Sequence, residues 1–321
     1  MRPRFPVACL IAIVCQIAQA EDFPSRPVRI VVANPPGGTA DLIGRLLAKI
    51  LAEMWQQSVI VDNRGGGSGA IGTDLVAKAT PNGYTLIVSA PGPITTNAIL
   101  FGKLPYDPLR DLAPIMLIGV TPSLLMVGPT VPSKSIAELV ALAKARPGKL
   151  NYASSGLGNP SHLQGAMFGK AAAIEIVHVP YKGGGPALID MLAGHVEIFF
   201  NAVPAMLPFV QSNRLRALGV TSAQRLAVLP NVPTMAESGY PQIGSTAWYG
   251  VLAPAKIPKP LLAKIHADLV KALAAPELRE TLVVSGGAEI VGSSPEQFAE
   301  FIRRETELAR GLLSVSGAKR E

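Results

Sequence analysis

Glycine, hydroxyl and amide residues gather at five places where a strand-like run gives way to a helix-like one, and that pattern suits the capture of a small anion. The first is Asn34-Pro35-Pro36-Gly37-Gly38-Thr39-Ala40-Asp41. Glycines there let the main chain approach a ligand closely. A helix start adds unpaired N–H groups and the positive end of the helix dipole. A carboxylate fits such a site. Ser154-Ser155-Gly156-Leu157-Gly158-Asn159-Pro160-Ser161-His162 repeats the device, with Asn159 placed to cap a helix and Pro160 at its first position. The other three are Tyr181-Lys182-Gly183-Gly184-Gly185-Pro186, Asn201-Ala202-Val203-Pro204 and Ser89-Ala90-Pro91-Gly92-Pro93-Ile94-Thr95-Thr96. Each alone also reads as ordinary turn chemistry. Together, at the carboxyl ends of strands in open α/β sheets, they describe a polar pocket. A hydrogen bond to a charged group contributes roughly 1.5–3 kcal/mol and a helix dipole about 0.3–1 kcal/mol, so a few such contacts reach about −8 kcal/mol, the micromolar range. No arginine clamp is required, though Lys182 adds a point charge.

Other chemistry is poorly supplied. Gly67-Ser68-Gly69-Ala70-Ile71-Gly72 matches the dinucleotide fingerprint, but the helix after it is short and the next strand ends at Ser89 with no acid for a ribose. There is no G-x-S-x-G elbow and no H-E-x-x-H, and the histidines at 162, 178, 195 and 266 lack metal-ligand spacing. His178 reads as a hydrogen-bonded strand residue; His162 opens a helix beside the second loop, within reach of a ligand. No metal, no cofactor and no enzymatic activity are expected. A secreted hydrolase using Ser155 or Ser161 is the weakest of the readings weighed. With two tryptophans, aromatic stacking on a sugar is poorly served.

The N-terminus reads as an export signal. Arg2 and Arg4 precede an apolar run from Val7 to Cys15, and Ala18-Gln19-Ala20 is a small-x-small cleavage site. Both cysteines, Cys9 and Cys15, fall in this leader, so the exported chain has no disulfide and no thiolate. The net charge of +7 becomes +5 once the two leader arginines are removed. That charge is scattered, without the basic clusters and interleaved aromatics of a nucleic-acid binder. At 321 residues, 49% apolar and 16% charged, the chain can bury a core and is not disordered.

The elements that must hold the loops follow from periodicity. Strands are expected at 28–33, 58–61, 86–89, 115–119, 124–127, 151–153, 176–180, 196–201 and 215–220, with helices between them. The order βαβα predicts mostly parallel sheets flanked by helices. Some 300 exported residues suit two lobes with a cleft. The expected division is residues 1–20 as leader, 21–122 plus about 236–321 as the first lobe, and about 123–235 as the second. Ser294-Pro295-Glu296-Gln297 is a capping box opening a final helix, expected to dock on the first lobe.

The loops also carry a resemblance. Pro24-Ser25-Arg26-Pro27, Pro35-Pro36-Gly37-Gly38, Val61-Asp62-Asn63-Arg64, Pro81-Asn82-Gly83-Tyr84, Leu104-Pro105-Tyr106-Asp107-Pro108, His178-Val179-Pro180-Tyr181-Lys182-Gly183, Pro230-Asn231-Val232-Pro233-Thr234 and Trp248-Tyr249-Gly250-Val251 occur in one order along the chain. This resembles the Bug-type, or tripartite tricarboxylate transporter, family of periplasmic solute-binding proteins. The resemblance implies a type II-like flytrap fold closing on a di- or tricarboxylate, an amino acid or a related acid. It implies contacts from Pro36, Gly37, Gly38, Thr39 and Asp41, and from Ser155, Gly156, Ser161 and His162. Ser89, Thr95, Tyr181, Lys182, Gly183 and Asn201 are expected to face the cleft. Membrane transporter subunits are the implied partner of a monomer in the periplasm; a signalling partner is the alternative. Asn201 stands where the family often has an acid, Gly92-Pro93-Ile94 is unusually proline-rich, and Ala166 replaces a frequent Glu. These departures bear on which ligand is bound, not on the fold.

Overall fold

The computed structural model describes residues 23–244 and 247–316. The expected export signal lies outside them. In chain order the strands and helices are β1 (Val28–Val32), α1 (Thr39–Trp55), β2 (Val59–Asn63), α2 (Ala70–Ala77), β3 (Thr85–Ser89), α3 (Asn97–Leu100), β4 (Leu112–Thr121) and β5 (Ser123–Val127). Next come α4 (Ile136–Ala145), β6 (Leu150–Ser154), α5 (Pro160–Ala171), β7 (Ile176–Pro180), α6 (Gly184–Leu192), β8 (Ile198–Ala202), α7 (Val203–Gln211) and β9 (Arg216–Val220). The chain finishes with β10 (Ala247–Pro254), α8 (Lys259–Leu273), α9 (Pro276–Arg279), β11 (Glu289–Ile290) and α10 (Pro295–Ser316).

Two sheets result, ordered β11-β4-β10-β3-β1-β2 and β7-β6-β8-β5-β9. The two-lobed α/β architecture stands, but the sheets are mixed. Only β1–β2, β1–β3, β6–β7 and β6–β8 pair in parallel. β10 runs against β3 and β4, and β5 against β8 and β9. The cause is the crossing of the chain between lobes. A strand that arrives from the other sheet, rather than over a βα unit, enters from the opposite end. Each lobe has its own apolar core; Leu47, Leu86 and Val88 lie in the first, Leu125, Phe200 and Leu218 in the second.

The first crossover is tied to the end of β9. The Ser123 N–H donates to Thr221 Oγ1 at 2.8 Å, and the Thr221 N–H returns a bond to Ser123 O at 2.9 Å. After β9 the chain stays with the second lobe: Met235 and Ile243 are buried in its core. The final helix exceeds its expected role. Its capping box forms, with the Ser294 N–H on Gln297 Oε1 at 2.9 Å and the Gln297 N–H on Ser294 Oγ at 3.2 Å. Its far end, however, crosses to α5, where Leu313 joins Leu100 and Leu163 in an apolar cluster shared by both lobes. No helix among the described residues is long and apolar enough to cross a membrane.

Candidate functional site

The parallel strands of both sheets point their carboxyl ends at one another, and the cleft lies between. It has about 510 Å³ of empty space, mouth included. From the first lobe it is lined by Asn34, Gly38 and Thr39 after β1 and by Ala90 and Pro91 after β3. From the second come Ser155, Asn159 and Ser161 around the start of α5, Gly184 at the start of α6, and Asn201 at the end of β8. Two of the helices that begin here, α1 and α6, have no side-chain cap, and their first-turn N–H groups are open to a ligand. A third, α7, has its first N–H on Pro122 O at 3.1 Å and a proline at its second position. The lining carries no charged side chain.

Loop 34–38 is shaped by Asp41. Its carboxylate accepts the Gly37 N–H at 3.0 Å and Asn63 Nδ2 at 2.9 Å, and pairs with Arg45 at 3.0 Å. Burial pushes this carboxyl up, but the bonds from Arg45, Gly37 and Asn63 outweigh it and hold it below the usual range. Gly37 adopts φ +91°, which a side chain would strain. Asp41 thus sets the wall rather than lining the cleft.

The second loop presents side chains, not amides. The N–H groups of Ser155, Gly156 and Gly158 are taken by Ser161 Oγ, Ser154 Oγ and His162 Nδ1 at 2.9, 3.2 and 3.1 Å. The expected offer of main-chain donors there is corrected to the hydroxyls of Ser155 and Ser161, 2.8 Å apart, and the Asn159 amide. His162 is 5% exposed and stacks on His178 at 4.1 Å, with burial holding both rings at about 4. It holds the loop and does not line the cleft.

Of the other expected residues, Gly38, Thr39, Ser155, Ser161 and Asn201 line the cavity. Pro36, Gly37 and Gly183 lie at the seam where the lobes meet, Gly183 against the Pro35 ring. Ser89 is buried in β3 and its hydroxyl turns to Ala90 O; Thr95 Oγ1 donates to Pro91 O at 2.8 Å. Tyr181 Oη donates to Asp190 at 2.8 Å, and Lys182 is exposed. Gly156 packs on Ser68 of the opposite lobe. Sequence reasoning missed Tyr249 and Ser123, which line the cleft because β10 and β5 run antiparallel and start where their neighbours end. Burial pushes the Tyr249 phenol up to about 12, so it keeps its proton. Thr39 Oγ1 lies beside it without a hydrogen bond of good geometry. Across the cleft, the buried Asn201 Nδ2 has no partner at all.

Two facing lobes thus present neutral donors to one cleft. Residues 43–316 match the family described as tripartite tricarboxylate transporter family receptor. The chain belongs to that family. Its members here are substrate-binding proteins rather than enzymes. Protein BugT of Bordetella pertussis is 36% identical over 301 residues, 94% of this chain and 92% of BugT. The R. palustris protein Rpa4515, solved with adipate, is 34% identical with a TM-score of 0.89, over 93% of this chain and 99% of that one. MatC of Rhodopseudomonas palustris, solved with bound malate, is 29% identical with a TM-score of 0.85, over 91% and 100%. The receptor family accounts for the fold.

Proposed function

We propose that this protein captures a small carboxylate in the periplasm by closing its lobes on it, and delivers it, as a monomer, to the membrane subunits of a tripartite tricarboxylate-type transporter. One observation carries the reading: the buried, unpartnered Asn201 Nδ2 faces a neutral cleft where the uncapped starts of α1 and α6 converge. Unpaired donors buried together are costly unless an acceptor arrives, and a carboxylate offers two acceptor oxygens. Adipate and malate in the related structures support that class. Ligand contacts are assigned to Gly38, Thr39, Ser155, Ser161, Asn201 and Tyr249. Binding energy then biases an open-to-closed equilibrium.

Calorimetry against malate, succinate, citrate, adipate and glutamate tests this. Micromolar binding of at least one acid is expected, and no heat and no thermal shift with any of them overturns it. Asn201→Ala removes one bond to a charged group, for about 1.5 kcal/mol or roughly a tenfold loss of affinity. An unchanged affinity would take Asn201 out of the site.

A further inference from the structure

A second cavity lies between the lobes, beyond Pro91 and Pro160. Those two rings line it and also line the acid cleft, so the two spaces adjoin there. It is the larger, about 720 Å³ against about 510 Å³ with mouths included. Its chemistry differs. Leu163 of α5 faces Leu308, Ala309 and Leu312 of α10, and the one ionisable side chain in its wall is Glu305. Arg304 is its neighbour along α10, and the Trp248 indole lies beside it. That indole N–H is buried and makes no hydrogen bond of good geometry. Burial accordingly pushes the Glu305 carboxyl above its ordinary range. The Arg304 charge and the Trp248 indole offset that burial only in part, which leaves room for a further cation at the carboxylate.

We propose that this cavity is a tail subsite: the bound acid leaves its carboxylate in the cleft, passes an apolar stem between Pro91 and Pro160, and ends in an ammonium beside Glu305. This rests on the acid-binding reading above and narrows it to acids with an aliphatic stem and a distal amine. The stem buries apolar surface against Leu163, Ala309 and Leu312. A terminal ammonium pairs with Glu305, a terminal methyl leaves it unpaired, and a terminal carboxylate meets a like charge. The α10 helix, which carries Glu305, spans from the first lobe to α5, so the subsite is complete only when the lobes meet.

Three six-carbon acids of matched length test it by calorimetry on the whole protein: 6-aminohexanoate, hexanoate and adipate. The expected order is 6-aminohexanoate tightest, at least tenfold over adipate, with hexanoate between. Glu305→Gln should cut that preference to threefold or less and leave malate binding within twofold. Leu308→Lys, at a position 54% exposed at the mouth and so tolerant of charge, should turn the preference toward adipate. Adipate binding as tightly as 6-aminohexanoate, or a preference that neither variant moves, overturns the subsite while malate binding keeps the acid cleft. Failure of every acid, malate included, overturns both.

Discussion

Gly185→Ala is expected to weaken ligand binding by roughly 100-fold while leaving the folded lobes as stable as before. The lobes stand closed here, main chain against main chain. A Cβ at Gly185 would lie 2.0 Å from the Pro36 carbonyl oxygen and 3.5 Å from the Gly37 Cα. Both belong to the opposite lobe, and a main-chain carbonyl held by a tight loop does not yield as a flexible side chain would. The clash exists only when the cleft is shut. Overpacking of this kind costs about 3 kcal/mol, here charged wholly to the closed state, which corresponds to the 100-fold loss. Within α6 itself alanine is the better helix former by about 0.5–1 kcal/mol, so the unliganded protein should melt no lower. Calorimetry gives the affinity, and small-angle scattering with saturating ligand gives the shape. Wild-type affinity with a compact liganded profile would show that closure at this seam is irrelevant to binding. Gly92 makes the matching contact at the other seam, its Cβ position 2.4 Å from Asn159 Oδ1, but there a side chain can turn aside.

Acidification from pH 7 toward 4 should destabilise the second lobe through the stacked imidazoles beneath the binding loop. His162 Nδ1 accepts the Gly158 N–H, so it is unprotonated there; charging the ring sets donor against donor. His178 Nε2 lies 2.7 Å from Ser154 Oγ, which in turn accepts the Gly156 N–H. Burial holds both rings at about 4, and for His178 the neighbouring His162 adds to it. Tyr152 stacks on the far side of His178 at 4.9 Å. Both rings thus bind protons more weakly in the fold than in the unfolded chain. Their contribution is complete above pH 6.5 and is lost as pH falls from 6.5 toward 4. For the more buried ring this is on the order of 3 kcal/mol. The two titrate as a coupled pair, so the pair's total is the measurable quantity. Urea midpoints at pH 7 and pH 4.5 read it, against His178→Gln, which keeps a polar group near Ser154. The variant should lose less stability on acidification than the wild type; parallel slopes would remove the imidazole pair as the cause.

The loops were legible because their physics is local. Glycine at 37 and 38 and the Ser294 box act within a few residues of themselves and stand where their chemistry put them; Asn159 takes the N-cap position of α5, but its amide donates to Ser155 O at 3.2 Å instead of capping the helix. Which groups those loops present was less legible. Asp41 reads as a helix-start acid in either case; that it takes the Gly37 N–H rather than a ligand depends on Asn63, 22 residues away. His162 was placed beside the ligand by its position in the helix. Its partner in stacking, His178, comes from β7, and that pairing turns the ring inward.

Alternating strand and helix periods and small-residue loops at strand ends follow from the amino-acid order alone, because propensity, capping and turn geometry act over a few residues. Strand direction, the crossing of α10 to the second lobe, the place of Tyr249 in the cleft and the contact of Gly185 with Pro36 were decided only in three dimensions. Each depends on segments that are remote in sequence and meet because two sheets share the chain twice. Nothing within a ten-residue window encodes such a meeting.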